Sequence, residues 1–468
     1  MPIEFSKKLT AHQTPIPGVV LYDLPVHGDN RGWFKENWQR EKMLALGLPD
    51  FRPVQNNISF NEKAGTTRGI HAEPWDKFIS VATGKIFGAW VDLREGPSFG
   101  AVFTAELDPS QAIFIPRGVG NAFQTLEDNT AYTYLVNDHW SADAQGQYTF
   151  LNLADETAAI SWPVPLEQAE LSDKDKAHPR LADVVPMPAK KILVLGADGQ
   201  LGKALRELYA GNASVEFAGR NEFDLTRADS FSARNWKNYS TVINAAAYTA
   251  VDAAETAEGR AAAWNINVSA VARLARTAVE HDLILVHVSS DYVFDGTRGI
   301  HHEDEPFTPL GVYGQTKAAG DAVVSVVPRH YIVRTSWVIG EGNNFVRTMT
   351  SLAGRGVKPS VVNDQMGRLS FTEDIAAGIR HLLESGAEYG TYNLSNDGPA
   401  QSWADIAAEA YELAGEARES VSGVSTEEYF KDKPAAPRPL NSVLDLGKIK
   451  GAGLAPRDAA DALHAYLK

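Results

Sequence analysis

The sequence predicts two domains of different class, an all-β barrel or sandwich in front and a parallel α/β fold behind. Three observations carry this. At 468 residues the chain is too long for one ordinary core. Up to about residue 165 it runs in short apolar stretches broken by turn residues, such as VVLYDL, KFISVATGKIFGAWVDL, SFGAVFTAEL and QAIFIP, the pattern of closely spaced antiparallel strands. From Lys190 the rhythm becomes strand then helix, repeated: KKILVLG, STVINAAA, a helical stretch from Ala261 to His281, then LILVHVSS. That alternation predicts a parallel sheet.

Between the halves, LSDKDKAHPRLADVVPMPAK is charged and then carries Pro186 and Pro188, which reads as a linker. The expected domains are therefore 1–183 and 190–468, with 184–189 the end of the linker and the substrate part of the second domain mainly from about 335. Apolar content of 44% with both charge signs interspersed describes a globular chain. A formal charge of −15, from 59 acidic and 44 basic side chains, argues against a nucleic-acid polymer as partner. There is no cysteine, hence no disulfide and no thiolate chemistry. MPIEFSKKLTAHQ lacks the apolar core of a signal peptide, and no run approaches the roughly eighteen apolar residues of a membrane span. The cytoplasm is the expected location.

In the second half, Gly196, Gly199 and Gly202 form G-x-x-G-x-x-G after a strand and at the head of a helix, the context in which backbone N–H groups hold a pyrophosphate. After the second strand stands Arg220, where an acid would bind a ribose hydroxyl. An arginine there accepts a 2′-phosphate, which favours NADPH, with NADH as a second cofactor. VYGQTKAAG sets Tyr313 and Lys317 four apart on one helix face. A phenol with a pKa of about 10 is a poor acid at neutral pH, and a neighbouring ammonium would bring it nearer the working range. Ser290 and Asp291 fall at the carboxyl end of a strand, where α/β sheets bind ligands.

GADGQLG, INAAAYTAVDAAE, SSDYVFDG, VYGQTK, RTSWVIGEGNNFV and RPLNSVLD together resemble the dTDP-4-dehydrorhamnose reductases, extended short-chain dehydrogenases with a Rossmann fold. The resemblance implies a catalytic Ser290, Tyr313 and Lys317, with serine where the family usually has threonine. It implies a cofactor shell of Gly196, Asp198, Gly199, Gln200, Leu201, Gly202, Arg220, Asp224, Leu225, Ala245, Ala246, Ala247 and Asn267, joined by Tyr313 and Lys317. Asp291, Tyr292, Trp337 and Asn344 would lie on the sugar-nucleotide side. Ala204 replaces a glutamate that many members use in a magnesium-assisted dimer, and GRLSFTEDIA lacks the family's proline-threonine pair.

The front half then becomes readable. GTTRGIHAEPWDKF, GDNRGWFKENW, QNNISF, IPRGVGNAF, TAYTYLVNDHW and DETAAISWP resemble, in order, the dTDP-4-dehydrorhamnose 3,5-epimerases, cupin-like barrels of jelly-roll type. By that resemblance His71 is the base and Asp155 orients it. Tyr134 is the acid on the opposite face, and Lys77 stabilises the enolate. Arg31, Glu36, Gln55, Asn57 and Arg68 would bind substrate, Arg31 reaching into a neighbouring subunit. Asn121 stands where the family has a histidine, Glu73 replaces a glutamine, and Leu135 a lysine. Lacking a further aligned histidine beside His71 and Glu73, the barrel is expected to hold no metal.

The expected protein joins an epimerase to a reductase and works on a dTDP-sugar, as a homodimer through the barrel. Two alternatives stay open: a reductase whose barrel is only a dimerisation scaffold, and a regulatory NADP-binding subunit.

Overall fold

A computed structural model describes residue 5 and residues 7–140, 142–431 and 434–468. The chain divides into two compact units, Met1–Ala189 and Lys190–Lys468.

The first unit consists of two antiparallel sheets. One runs in the order Thr10–Gln13, Val20–Asp23, Gln111–Ile115, Lys77–Thr83, Thr130–Val136, Gln55–Asn61. The other runs Thr149–Phe150, Thr67–Ala72, Val119–Thr125, Ile86–Asp92, Val102–Leu107. Alternate side chains of the two sheets meet in one core: Ile79, Val81 and Ile113 from the first, Ile86, Trp90 and Phe123 from the second. The opposite face of the second sheet is also buried. Ile70, Ala89 and Val91 pack there against Leu151, Leu153, Leu181, Val184 and Met187.

That second layer corrects the linker. Residues 171–189 do not hang between the units, because they complete the front one. The Met187 N–H donates to the Leu93 carbonyl at 2.8 Å, and the Met187 carbonyl accepts from the Glu95 N–H at 3.0 Å. The charged stretch itself forms a short helix, Asp173–Lys176, capped by the Ser172 side chain. Charge and proline suggested exposure, but the sparse apolar residues Leu181, Val184 and Met187 decide the packing.

The second unit is built on a parallel sheet in the order Val215–Ala218, Lys191–Leu195, Tyr239–Asn244, Ile284–Ser290, His330–Thr335, Gly390–Asn393. Its strands are apolar on both faces. Leu193 and Leu195 join one core and Val194 the other, each covered by helices. Strand order reverses beside Lys191–Leu195, so a crevice opens at its carboxyl end. Beyond residue 335, Phe345–Ala353 and Trp403–Leu413 pack into a smaller core. Gly390–Asn393 returns to the main sheet, so this part is threaded through the dinucleotide fold. Among the described residues no helix is long and apolar enough to cross a membrane.

Candidate active sites

In the second unit the first strand ends at Leu195 and the chain turns at Gly196, whose φ is +76. A Cβ on Gly196 would lie 2.7 Å from the Ala246 nitrogen, and one on Gly202 would lie 2.3 Å from the Gly196 carbonyl oxygen. Only glycine lets these segments approach so closely. The result is a bare cradle at the N-terminus of helix Gln200–Leu208, shaped for a pyrophosphate.

From this cradle a cavity of about 690 Å³ runs past Ala245–Ala247 to Ser290, Asp291, Tyr313 and Lys317. That volume suits a dinucleotide beside a small substrate. Lys317 Nζ donates to the Val288 carbonyl at 2.7 Å. Burial pulls its pKa down to about 8, opposed by Asp321. Burial pushes the Tyr313 phenol up to about 12, and the group that opposes this is the Ser290 hydroxyl. The lowering of Tyr313 expected from Lys317 is absent: desolvation, which favours the neutral phenol, dominates, and Asp291 and Asp321 push the same way. Ser290 Oγ donates to Asp291 Oδ1 at 2.9 Å and accepts from the Tyr292 N–H at 3.2 Å. Burial raises Asp291 to about 6, against hydrogen bonds from Ser442 and Ser290. Tyr292 meets Tyr313 edge-on at 5.4 Å.

In the first unit a cavity of about 460 Å³ is lined by Arg68, His71, Tyr148, Phe150, Asp175 and His178, among others. His71 Nε2 lies 2.8 Å from Asp175 Oδ1. The His71 interaction holds the carboxyl below its usual range, although burial pushes it upward. Asp155 does something else. Its carboxylate accepts from the backbone N–H groups of Thr157, Ala158 and Leu181, pinning the turn and the start of the second layer. Asp175 therefore orients His71, and Asp155 is a structural cap.

Lys77 and Tyr134 sit on adjacent strands, with Lys77 Nζ 5.3 Å from the centre of the Tyr134 ring. Burial pulls Lys77 down to about 7. The Glu73 carboxylate contacts the same ammonium. Burial raises Tyr134 while Arg68 opposes. Lys77 and Tyr134 are outside the lining of the His71 cavity, although Tyr148, which belongs to that lining, feels the charge of Tyr134.

Family models match on either side of the seam. The description "dTDP-4-dehydrorhamnose 3,5-epimerase" covers residues 13–183, and "RmlD substrate binding domain" covers residues 190–468. The front half is 50% identical over 194 residues to a protein RmlC homolog of Streptococcus pyogenes, spanning 40% of this chain and 98% of that one. The chain belongs to both families. Its reductase unit is 38% identical over 290 residues to the dTDP-4-dehydrorhamnose reductase of Aggregatibacter actinomycetemcomitans, spanning 58% of this chain and 97% of that one. It also resembles the crystal structure of the Bacillus anthracis reductase in complex with NADP, at 31% identity, over 60% of this chain and 98% of that one, with a TM-score of 0.55. The protein is an enzyme, an epimerase fused to a reductase of dTDP-rhamnose biosynthesis.

Within the reductase unit, Gly196, Asp198, Gly199, Gln200, Leu201, Arg220 and Ala245–Ala247 line the cavity, as do Asp291, Tyr292, Trp337 and Asn344. Four expected cofactor residues do not. Gly202 acts through close packing, and Leu225 belongs to the core. Asp224 holds Thr226 and pairs with Arg220 at 3.5 Å. Asn267 bonds both the N–H and the carbonyl of Tyr248, and also Thr316 Oγ1. It locks the catalytic helix to the loop instead of lining the cavity. Asn344 reaches the cavity, yet its amide caps helix Phe345–Ala353 and bonds Gly340 and Tyr466. Sequence reasoning missed Trp403, stacked on Trp337 at 3.9 Å in the cavity wall. An aromatic at the head of a helix reads as core.

Within the epimerase unit, Arg68 lines the cavity and donates to Asn61 at 3.2 Å. Gln55 donates to Asn57 at 2.7 Å, and Asn57 is the strand partner of Tyr134. Arg31 and Glu36 are outside this cavity, paired with Asp29 and Lys42. Asn121 is engaged in the core, bonding Trp90 Nε1 at 3.0 Å and the Tyr132 hydroxyl at 3.0 Å. The structure also brings His178 to His71 and Asp175, a histidine the expectation of no metal had overlooked.

Proposed function

We propose that the front cavity carries out 3,5-epimerisation through His71, Asp175, Tyr134 and Lys77, and that the rear cavity reduces the C4 ketone through Ser290, Tyr313 and Lys317. The observation that supports this is His71 hydrogen-bonded to Asp175 at 2.8 Å in one cavity and Ser290, Tyr313 and Lys317 lining another. The substrate's C4 ketone acidifies the protons on C3 and C5. His71, held by Asp175, takes such a proton, and Tyr134 returns one from the other face. The Lys77 ammonium neutralises the enolate oxygen.

In the rear cavity the glycine cradle would hold the pyrophosphate of NADPH, and Arg220 the 2′-phosphate, with NADH accepted less well. When bound, NADPH supplies a hydride. Ser290 then holds the C4 oxygen and Tyr313 protonates it, a task that suits a phenol kept neutral by burial. Lys317 holds the ribose. The stacked Trp337 and Trp403 present a flat face to the sugar nucleotide.

The front unit is read as a cupin-type barrel that pairs with a second copy. Gln55–Asn61 lies at a sheet edge with Ile58 and Phe60 exposed, and Phe34 and Trp140 are exposed as well. Such an edge calls for a cover. A second copy supplies it and would bring Arg31 to a neighbouring site. The working place is the cytoplasm, where NADPH and nucleotide sugars occur. Proton exchange from D2O at C3 and C5 of the 4-keto-6-deoxyglucose nucleotide, without NADPH, tests the front assignment, and NADPH oxidation by Tyr313→Phe tests the rear one.

A further inference from the structure

His178 lies three residues beyond Asp175, just past the short helix, and turns its ring toward His71, with centroids 5.3 Å apart. Its Nε2 is 3.9 Å from Asp175 Oδ1, beyond hydrogen-bond range. Its Nδ1 is buried, and backbone groups of Leu151 and Gly69 approach its ring. Phe150 stacks on it at 4.6 Å and meets His71 edge-on at 5.5 Å, fixing both rings. One ligand atom from each of His71, Asp175 and His178 lies within 4.8 Å of the others. Two imidazoles and a carboxylate on the wall of an open cavity make a three-ligand zinc set, with the fourth position facing solvent.

We infer that the front site binds a zinc-type divalent cation through His71, Asp175 and His178, and that this ion switches epimerisation off. The switch lies in the tautomer of His71. In the metal-free protein Nε2–H donates to Asp175, which leaves the lone pair on Nδ1 to act as base. A metal on Nε2 requires the other tautomer, so the single N–H of the neutral ring moves through solvent from Nε2 to Nδ1 and Asp175 stays ionised. Asp175 becomes a ligand and no longer orients a base. Metal and catalysis therefore exclude each other at the same imidazole. The distances of 2.8 and 3.9 Å straddle the roughly 3.3 Å edge of a tetrahedral zinc site, given bonds of about 2.0–2.1 Å. A modest shift of the Asp175–His178 turn closes the set.

The inference rests on His71 being the epimerase base, and the test separates the two. Full-length protein is titrated with Zn²⁺ against a chromophoric chelator, while C5 proton exchange is followed in D2O. Exchange should be present without metal, fall as one Zn²⁺ binds per front site, and return with EDTA. NADPH oxidation with pre-epimerised substrate should be unaffected. Measured against its own metal-free rate, His178→Ala should need at least about tenfold more Zn²⁺ to lose exchange. Equal zinc sensitivity in His178→Ala, or exchange indifferent to bound Zn²⁺, would overturn the metal site. If exchange is absent before any metal is added, the epimerase reading fails instead, and chelator competition still reads the ion.

Discussion

The two active sites are assembled in opposite ways. The reductase set comes from a strand end and the helix that follows it, with Ser290, Tyr313 and Lys317 within a short stretch of chain. The epimerase set is gathered from strands Thr67–Ala72, Lys77–Thr83 and Thr130–Val136 and from a helix at Asp173–Lys176. His71 and Asp175 are 104 residues apart. A parallel α/β fold brings its chemistry to one sheet edge by topology alone. An antiparallel sandwich has no such edge and recruits whatever segment covers the cavity. The sites are alike in charge: burial pulls both lysines down, Lys317 to about 8 and Lys77 to about 7, and each has a carboxylate near it, Asp321 and Glu73.

The largest expected effects separate the sites cleanly. His71→Ala should lower C5 exchange by about 10²–10⁴-fold and leave reduction of pre-epimerised substrate intact, while Tyr313→Phe does the reverse. Both are read by NMR exchange and NADPH absorbance on the same preparations.

The next effect decides which aspartate serves His71. Asp175→Asn forces the wrong tautomer and should cost on the order of 10² or more in exchange. Asp155→Ala should instead lower stability by about 1–3 kcal/mol, because backbone N–H groups lose their acceptor. Exchange per folded molecule should then be unchanged, with denaturant melts giving the stability. An Asp155 variant that folds normally but cannot exchange would restore the sequence-based assignment.

These two aspartates mark the limit of the sequence. Both domain classes, the seam near Lys190 and the residues proposed to act in the rear cavity were legible, because periodicity and motif spacing are local signals. His71, Lys77 and Tyr134 were legible only through resemblance. Asp175 and His178 were hidden in a charged, proline-flanked stretch whose composition argues for a linker. Its packing depends on only three apolar residues, Leu181, Val184 and Met187, too few among the surrounding charges and prolines to announce a buried segment. Asn267 and Asp224 looked like cofactor contacts because they lie beside motifs, yet their hydrogen bonds turn inward.

A smaller effect probes the charge of Lys77. Its ammonium is lost as pH rises through its pKa, which burial pulls down to about 7. Glu73→Gln removes a contacting carboxylate, so its C5 exchange should be lost at lower pH than in the wild type. Coincident pH profiles would mean that Glu73 does not support the charge of Lys77. Smallest is Arg220→Ala. The guanidinium is exposed and shared with Asp224, so KM for NADPH should rise by no more than about fivefold, with NADH unchanged. Steady-state kinetics with both cofactors check this, and equal weakening would make Arg220 structural.

The central claim is that one chain holds two working active sites used in succession. Its most direct test is one reaction: full-length protein, the 4-keto-6-deoxyglucose nucleotide and NADPH in D2O, with the product read by NMR. The account predicts a reduced sugar deuterated at C5, and more slowly at C3, with neither label nor NADPH consumption in His71→Ala. Reduction of the substrate without deuterium at either carbon would contradict it, leaving the barrel a scaffold for a lone reductase.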